Sequence, residues 1–323
     1  MSSKDVTGMQ QERPETEDAL VDLIRAVRET GYSFTTVTPA SHARVVARPD
    51  RAWAHDLRDV LGWSRPFRRE VVPPDLLAAM RRAGVIEPAG EGLRATIRLS
   101  SLDGELFLHS AYPPTATDAV FFGPDTMRFV SAVTAHLAER KAPVHRAVDI
   151  GAGSGAAGIA VAKRAPGAEV VLVDINPAAL RAGRVNAQAA GVTGIVPRRS
   201  NLLREVEGRF DLIVSNPPFM IDRSGRTYRH GGGALGEGLS LAVVEAAAER
   251  LAPGGSLVLF TGSVIVGGAD PFRAAALAAC ARAGLDTQYR EFDPDAYGEE
   301  LDDPAYAEAD RIALVVLTAT RPA

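Results

Sequence analysis

Asn216 sits between the apolar run Asp211–Ser215 and two consecutive prolines, in the hexapeptide SNPPFM at 215–220. An amide oxygen followed by a backbone carbonyl offers two acceptors side by side. Together they can take both hydrogens of a planar NH2 group. The nitrogen of such a group has its lone pair delocalised and attacks poorly, so holding it in line with an electrophile is itself catalytic. Pro217 supplies the second carbonyl, and Phe219 offers a flat face on which a planar acceptor could stack. Neither proline can donate to a ladder or continue a helix, so the strand must stop here and the loop has little freedom left to lose.

A second constellation lies upstream. DIGAGSGAAGIA places Gly151, Gly153 and Gly155 where a strand turns into a helix. Glycines at such a turn let a ligand approach the main chain, as nucleotide cofactors require. Asp174, which ends the next strand 23 residues after Gly151, can accept both hydroxyls of an adenosine ribose. GAGSGA also satisfies the dinucleotide pattern, so an NAD-dependent oxidoreductase stays open at this point.

These residues need a scaffold that brings them together. From His145 onward, apolar runs without alternation (RAVDIG, EVVLVDI, GIVPRRS, FDLIVS, SLVLFTG, IALVVLTAT) are separated by helical segments. That pattern predicts an α/β fold with a doubly wound, mostly parallel, seven-stranded sheet. Ligands collect beyond the carboxyl ends of such strands, so Asp149, Asp174, Asn201 and Asn216 are expected to share one crevice.

Upstream of this, apolar positions Leu20, Leu23, Ile24 and Val27 predict a helix from Thr16 to Gly31. Further helices are expected over Trp53–Leu61 and from Pro74 to about Ala83, ending at Gly84. LRATIRLS and ELFLHSA then read as a hairpin turning at Asp103-Gly104. The expected organisation is a disordered leader at 1–15, a small α+β, winged-helix-like N-terminal domain at 16–112, and the doubly wound domain at 113–323.

VDIGAGSG, LVDINPAAL, SNL and SNPPF, in that order, resemble the class I S-adenosylmethionine-dependent methyltransferases. Specifically, they resemble the N-methylating branch with an Asn-Pro-Pro-aromatic motif, which includes release-factor glutamine methyltransferases. The resemblance covers about residues 119–320. It implies S-adenosylmethionine as cofactor, held by Asp149, Gly151, Gly153, Gly155, Asp174 and Asn201. It also implies Asn216, Pro217 and Phe219 as the acceptor-holding residues. Asn201 stands where many relatives have aspartate, and Phe219 where glutamine-modifying relatives usually have tyrosine. Val120–Val130, with Phe122, resembles the segment that covers the cofactor or lines the acceptor pocket in those relatives.

The loop after the motif, with Arg226, Arg229 and a run of glycines, reads as a lid whose arginines clamp a carboxylate or phosphate. Tyr228 in the same loop is an expected acid/base group.

Composition narrows the acceptor. The formal charge is -4 over 323 residues, and residues 1–100 carry 15 Lys+Arg against 14 Asp+Glu. An acidic stretch, 292–310, precedes the last strand, and both features weigh against a phosphate backbone. A small molecule or protein side chain is therefore expected ahead of a nucleic-acid base, with attack on the aminocarboxypropyl arm of the cofactor as the other reaction. A non-catalytic scaffold would leave the two intact motifs without a role. One cysteine, Cys280, and no Cys/His ligand spacing leave no disulfide or metal site to propose, and no run is long and apolar enough to span a membrane. A cytoplasmic protein is expected, with the N-terminal unit serving as a homodimerisation or substrate-covering module.

Overall fold

The computed structural model describes residues 14–222 and 229–323. The leader expected at 1–15 falls almost wholly outside the described residues, as do Arg226 and Tyr228.

The chain opens with α1 (Pro14–Glu29), whose Leu20, Val21, Leu23, Ile24 and Val27 form one buried stripe, and Gly31 leaves the helix at φ 75°. α2 (Pro39–Val46) was not expected from the sequence. Its only buried residue is His42, so it carries no apolar stripe, and it is held by Thr38, whose side chain accepts from Ser41 N, and by Pro39 in its first turn. α3 (Leu57–Leu61) is shorter than expected. The Asp56 side chain accepts from Asp59 N and starts the helix there, leaving Trp53 outside it under the Arg68 guanidinium. α4 (Pro74–Arg82) follows as expected, burying Leu76, Leu77, Ala79 and Met80.

Two hairpins come next. β1 (Ile86–Ala89) pairs with β2 (Gly92–Ala95), and β3 (Ile97–Leu102) pairs with β4 (Glu105–Ser110). LRATIRLS is thus not one strand; it breaks at Thr96 and serves both hairpins. Asp103 (φ 50°) and Gly104 (φ 79°) make the expected two-residue turn, with both central residues left-handed.

Beyond α5 (Pro124–Glu139), the doubly wound unit consists of β5 (Arg146–Ile150), α6 (Ala156–Arg164), β6 (Glu169–Asp174), α7 (Pro177–Ala189), β7 (Ile195–Arg199), β8 (Phe210–Ser215), α8 (Gly238–Arg250), β9 (Leu251–Ile265), α9 (Pro271–Arg282), β10 (Asp286–Asp293) and β11 (Arg311–Thr320). The sheet order is β10-β11-β9-β8-β5-β6-β7, with β11 antiparallel to both neighbours. This is the mostly parallel seven-stranded sheet expected from the apolar runs. β10 was not read in the sequence because DTQYREFD is an edge strand with mainly exposed side chains. The order reverses between β5 and β8, which places the carboxyl ends of these strands at a topological switch point.

Leu172 on β6 sets how closely the helices approach. A Cβ on Gly158 of α6 would lie 2.3 Å from its Cδ2, and one on Gly183 of α7 would lie 2.8 Å from its Cδ1. Both helices therefore seat directly on this side chain.

The N-terminal elements do not stand apart from the sheet. Ala179, Ala182, Val185 and Ala189 of α7 share one buried cluster with α1, α4 and the hairpin strands. At its centre is Asn186, which is fully buried. Its Oδ1 accepts from Leu108 N (2.7 Å), and its Nδ2 donates to Leu108 O (3.1 Å) and to Ser154 O in the glycine loop (2.9 Å). Replacing it with alanine leaves three buried backbone groups unpaired. Asn186→Ala is expected to lower the unfolding free energy by about 3 kcal/mol, read by denaturant titration; a loss under about 1 kcal/mol would show that these bonds are replaced by water.

Candidate active site

β5 ends at Ile150, and the chain turns through Gly151 (φ 70°), Gly153 (φ 54°) and Gly155 (φ 77°) into α6. All three lie in left-handed backbone where a side chain is strained. A Cβ on Gly151 would meet nothing within 4 Å, so the loop presents bare main chain to open space. The loop is tied to β6: Gly151 N and Ala152 N donate to Val173 O (2.8 and 3.0 Å), and Gly153 N donates to Asp174 Oδ2 (3.0 Å). Asp174 Oδ1 accepts from Asn176 N (2.9 Å), so the carboxylate is fixed while each oxygen keeps a lone pair free.

One cleft gathers Asp149, Gly151, Gly153, Asp174, Asn201, Asn216 and Pro217 along its wall. Gly155 lies just behind it as the N-cap of α6, where it packs on Gly183 and Leu172. Two oxygens on this wall have no partner among the described residues although they are buried, Asp149 Oδ1 and Asn216 Oδ1. Unpaired buried acceptors are uncommon and point to a ligand that completes them. Asp149 is 1% exposed, and burial pushes its carboxyl up from the ordinary 3.8 to about 7, against the hydrogen bond from Gly158 N (2.9 Å). Burial also raises the Asp174 carboxyl.

The structure redirects three of the expected site residues. Phe219 does not line the cleft. Its ring packs edge-on to Tyr297 (5.7 Å) and over Gly262, where a Cβ would clash at 2.3 Å, so it backs the loop instead of facing an acceptor. Phe122 is 2% exposed and stacks with Phe107 and His109, whereas the preceding Phe121 lines the cleft. Arg229 is paired with Glu300 of the acidic stretch, which engages the guanidinium expected to clamp substrate.

That stretch forms turns at Gly298–Asp302 and Pro304–Tyr306 and packs against the motif loop. Ile221 N donates to the buried Tyr306 hydroxyl (2.8 Å), and the Tyr297 hydroxyl bonds Asp125 at the start of α5.

Sequence reasoning also passed over Ile175. It is the exposed large apolar residue among those described, 50% accessible, and it lies on the cleft wall directly after Asp174. An isoleucine between a strand-ending aspartate and the helix cap Asn176 was the available signal.

Because the fold favours the protonated Asp149, its contribution to stability is present in full below pH 3.8 and is lost as pH rises through about 7. Asn at this position can still accept from Gly158. The melting temperature of Asp149→Asn relative to the wild type is therefore expected to climb by several degrees between pH 4 and pH 8. A difference that stays flat across this range would show that the carboxyl is not neutral in the fold.

The family description "Methyltransferase small domain" matches residues 122–265. Ribosomal RNA small subunit methyltransferase C of Escherichia coli K12 is 42% identical over 74 residues, which is 23% of this chain and 21% of the relative; the same enzyme of Shigella dysenteriae serotype 1 matches equally. The match thus spans about a fifth of these curated relatives. Among solved structures, Trm5b from Pyrococcus abyssi aligns with a TM-score of 0.48 and 17% identity, over 77% of this chain and 71% of that one. TYW2 from M. jannaschii in complex with AdoMet aligns with a TM-score of 0.47 and 15% identity, over 70% and 85%. No helix among the described residues is long and apolar enough to cross a membrane. The glycine loop, the fixed Asp174 carboxylate, the open space over Gly151 and exposed Ile175 fit an adenosyl cofactor. The span that matches the methyltransferase family model includes the glycine loop, Asp174, Asn216 and five of the seven strands, β5 to β9, and supports an S-adenosylmethionine-dependent methyltransferase.

Proposed function

We propose that the protein methylates a planar nitrogen, an amine or amide of a small molecule or protein side chain, held by Asn216 and Pro217. The observation that carries this is the buried, unpaired Oδ1 of Asn216 on the wall of the cofactor cleft. S-adenosylmethionine supplies a methyl group activated by its sulfonium.

The residues of the chain do the rest by placement. The carboxylate of Asp174 is set to accept from ribose hydroxyls, Ile175 offers an apolar face to the adenine, and Asn201 offers an amide at the same end of the cleft. Asn216 Oδ1 and Pro217 O accept the two N–H hydrogens of the acceptor, which fixes the direction of the nitrogen lone pair and stabilises positive charge as it develops there. Phe121, which reaches this cleft, offers an aromatic surface to the acceptor.

A nucleobase amino group presents the same two hydrogens, and the matched relatives are named as ribosomal RNA enzymes. Their match is confined to 74 residues, and the acidic turns against the motif loop favour an acceptor without a phosphate backbone.

Two substitutions separate the roles. Asn216→Ala is expected to reduce turnover at least 100-fold while S-adenosylhomocysteine affinity, measured by calorimetry, stays within a few-fold. Ile175→Ala is expected to weaken that affinity roughly three- to tenfold through lost apolar contact. Unchanged turnover in the first variant would remove the proposed acceptor site. Release of methylthioadenosine in place of S-adenosylhomocysteine would move the reaction to the aminocarboxypropyl arm.

A further inference from the structure

Arg98, on β3, is 6% exposed, and no acidic side chain pairs with it among the described residues. Its Nε donates to Gly62 O (2.9 Å), its guanidinium lies over the Phe34 ring (5.6 Å), and its Nη2 is buried with no hydrogen-bond partner. The other buried arginine of the N-terminal domain behaves in the ordinary way: Arg65 Nη1 meets Asp59 Oδ1 at 2.6 Å. Near Arg98 the titratable groups are Tyr32, Tyr112, His42 and His109, none of them an anion at neutral pH. A buried cation without a counter-charge is strongly disfavoured, so a site of this kind calls for an anion from outside the chain.

The guanidinium borders a small cavity with Thr36, His109, Tyr112, Val120 and Phe121. Val120 and Phe121 also line the methyltransferase cleft, so the two spaces share a wall. The cavity measures about 30 Å³. With roughly 10–15 Å³ needed for each water-sized atom, it holds two such atoms, the number of oxygens in a carboxylate and half the number in a phosphate. With Nε committed to Gly62, the Nη1–Nη2 edge remains as a fork matching a carboxylate.

We propose that this pocket is a carboxylate subsite, through which the N-terminal domain holds the carboxylate end of the acceptor beside the cleft. The assignment to the acceptor rests on the methyl-transfer reading above; the carboxylate site itself does not.

The test uses the full chain and acetate as probe, replacing chloride at constant sodium. Saturable binding at millimolar acetate and a rise in melting temperature of several degrees are expected for the wild type. Arg98→Met is expected to lose at least tenfold in acetate affinity while binding S-adenosylhomocysteine as the wild type does. Three results would overturn the proposal: no saturable acetate response, an equal response to sulfate or phosphate, or an undiminished response in Arg98→Met. Should that variant not fold, the Nε–H resonance of Arg98 in the unmutated protein decides. A saturable shift with acetate supports the site, and an unmoved resonance refutes it. Retained S-adenosylhomocysteine binding without acetate binding rejects the subsite alone, whereas the reverse rejects the methyl-transfer reading alone.

Discussion

One buried amide joins the two parts of this molecule. Asn186 satisfies both backbone groups of Leu108 on the N-terminal hairpin and a carbonyl of the glycine loop. Asn186 lies on α7, which is itself seated through Gly183 on Leu172 of β6. Hairpin, helix, strand and cofactor loop are therefore held in one register. The doubly wound unit does not end where the N-terminal elements begin: the apolar face of α7 is completed by α1, α4 and the hairpins, and neither side would be fully covered without the other.

The same economy of contact shapes the cleft. Its glycine-loop end is built from main chain and from side chains already fixed by neighbours. Asp174, for example, is pinned by two backbone N–H groups before any ligand arrives. The end at Asn216 is built differently. The amide oxygen of Asn216 is left without a partner, and the loop carrying it is braced from behind by Phe219, Tyr297 and Tyr306. Rigidity thus lies in the bracing, while the amide oxygen on the cleft wall keeps its hydrogen-bonding capacity unused.

Much of the sheet was legible in the sequence because β5, β6, β8, β9 and β11 are buried on both faces and read as unbroken apolar runs. β10 was not legible, since an edge strand with exposed side chains carries no such run. α2 escaped because a helix burying one histidine has no stripe to detect. That these residues share one cleft was legible for a local reason: strand, glycine turn and aspartate follow one another within 26 residues, Asp149 to Asp174. The acceptor side was less so. Whether Phe121 or Phe122 faces the cleft depends on how the chain enters α5, and the position of Phe219 depends on Tyr297 and Gly262, both remote in sequence. Likewise, Arg98 looks like any strand arginine until the fold shows that, among the described residues, no acidic side chain pairs with it and its Nη2 is buried without a partner.

The bracing of the motif loop by Tyr297, Glu300 and Tyr306 has a consequence for how the protein is made. During synthesis, the strands β5, β6, β7 and β8 and the glycine turn that wall the cleft are all available once residue 215 has emerged. The residues that hold the motif loop in place arrive some 80 positions later, followed by the strand that inserts between β9 and β10. The nascent chain therefore has every strand of the cleft wall well before it has the residues that brace the motif loop.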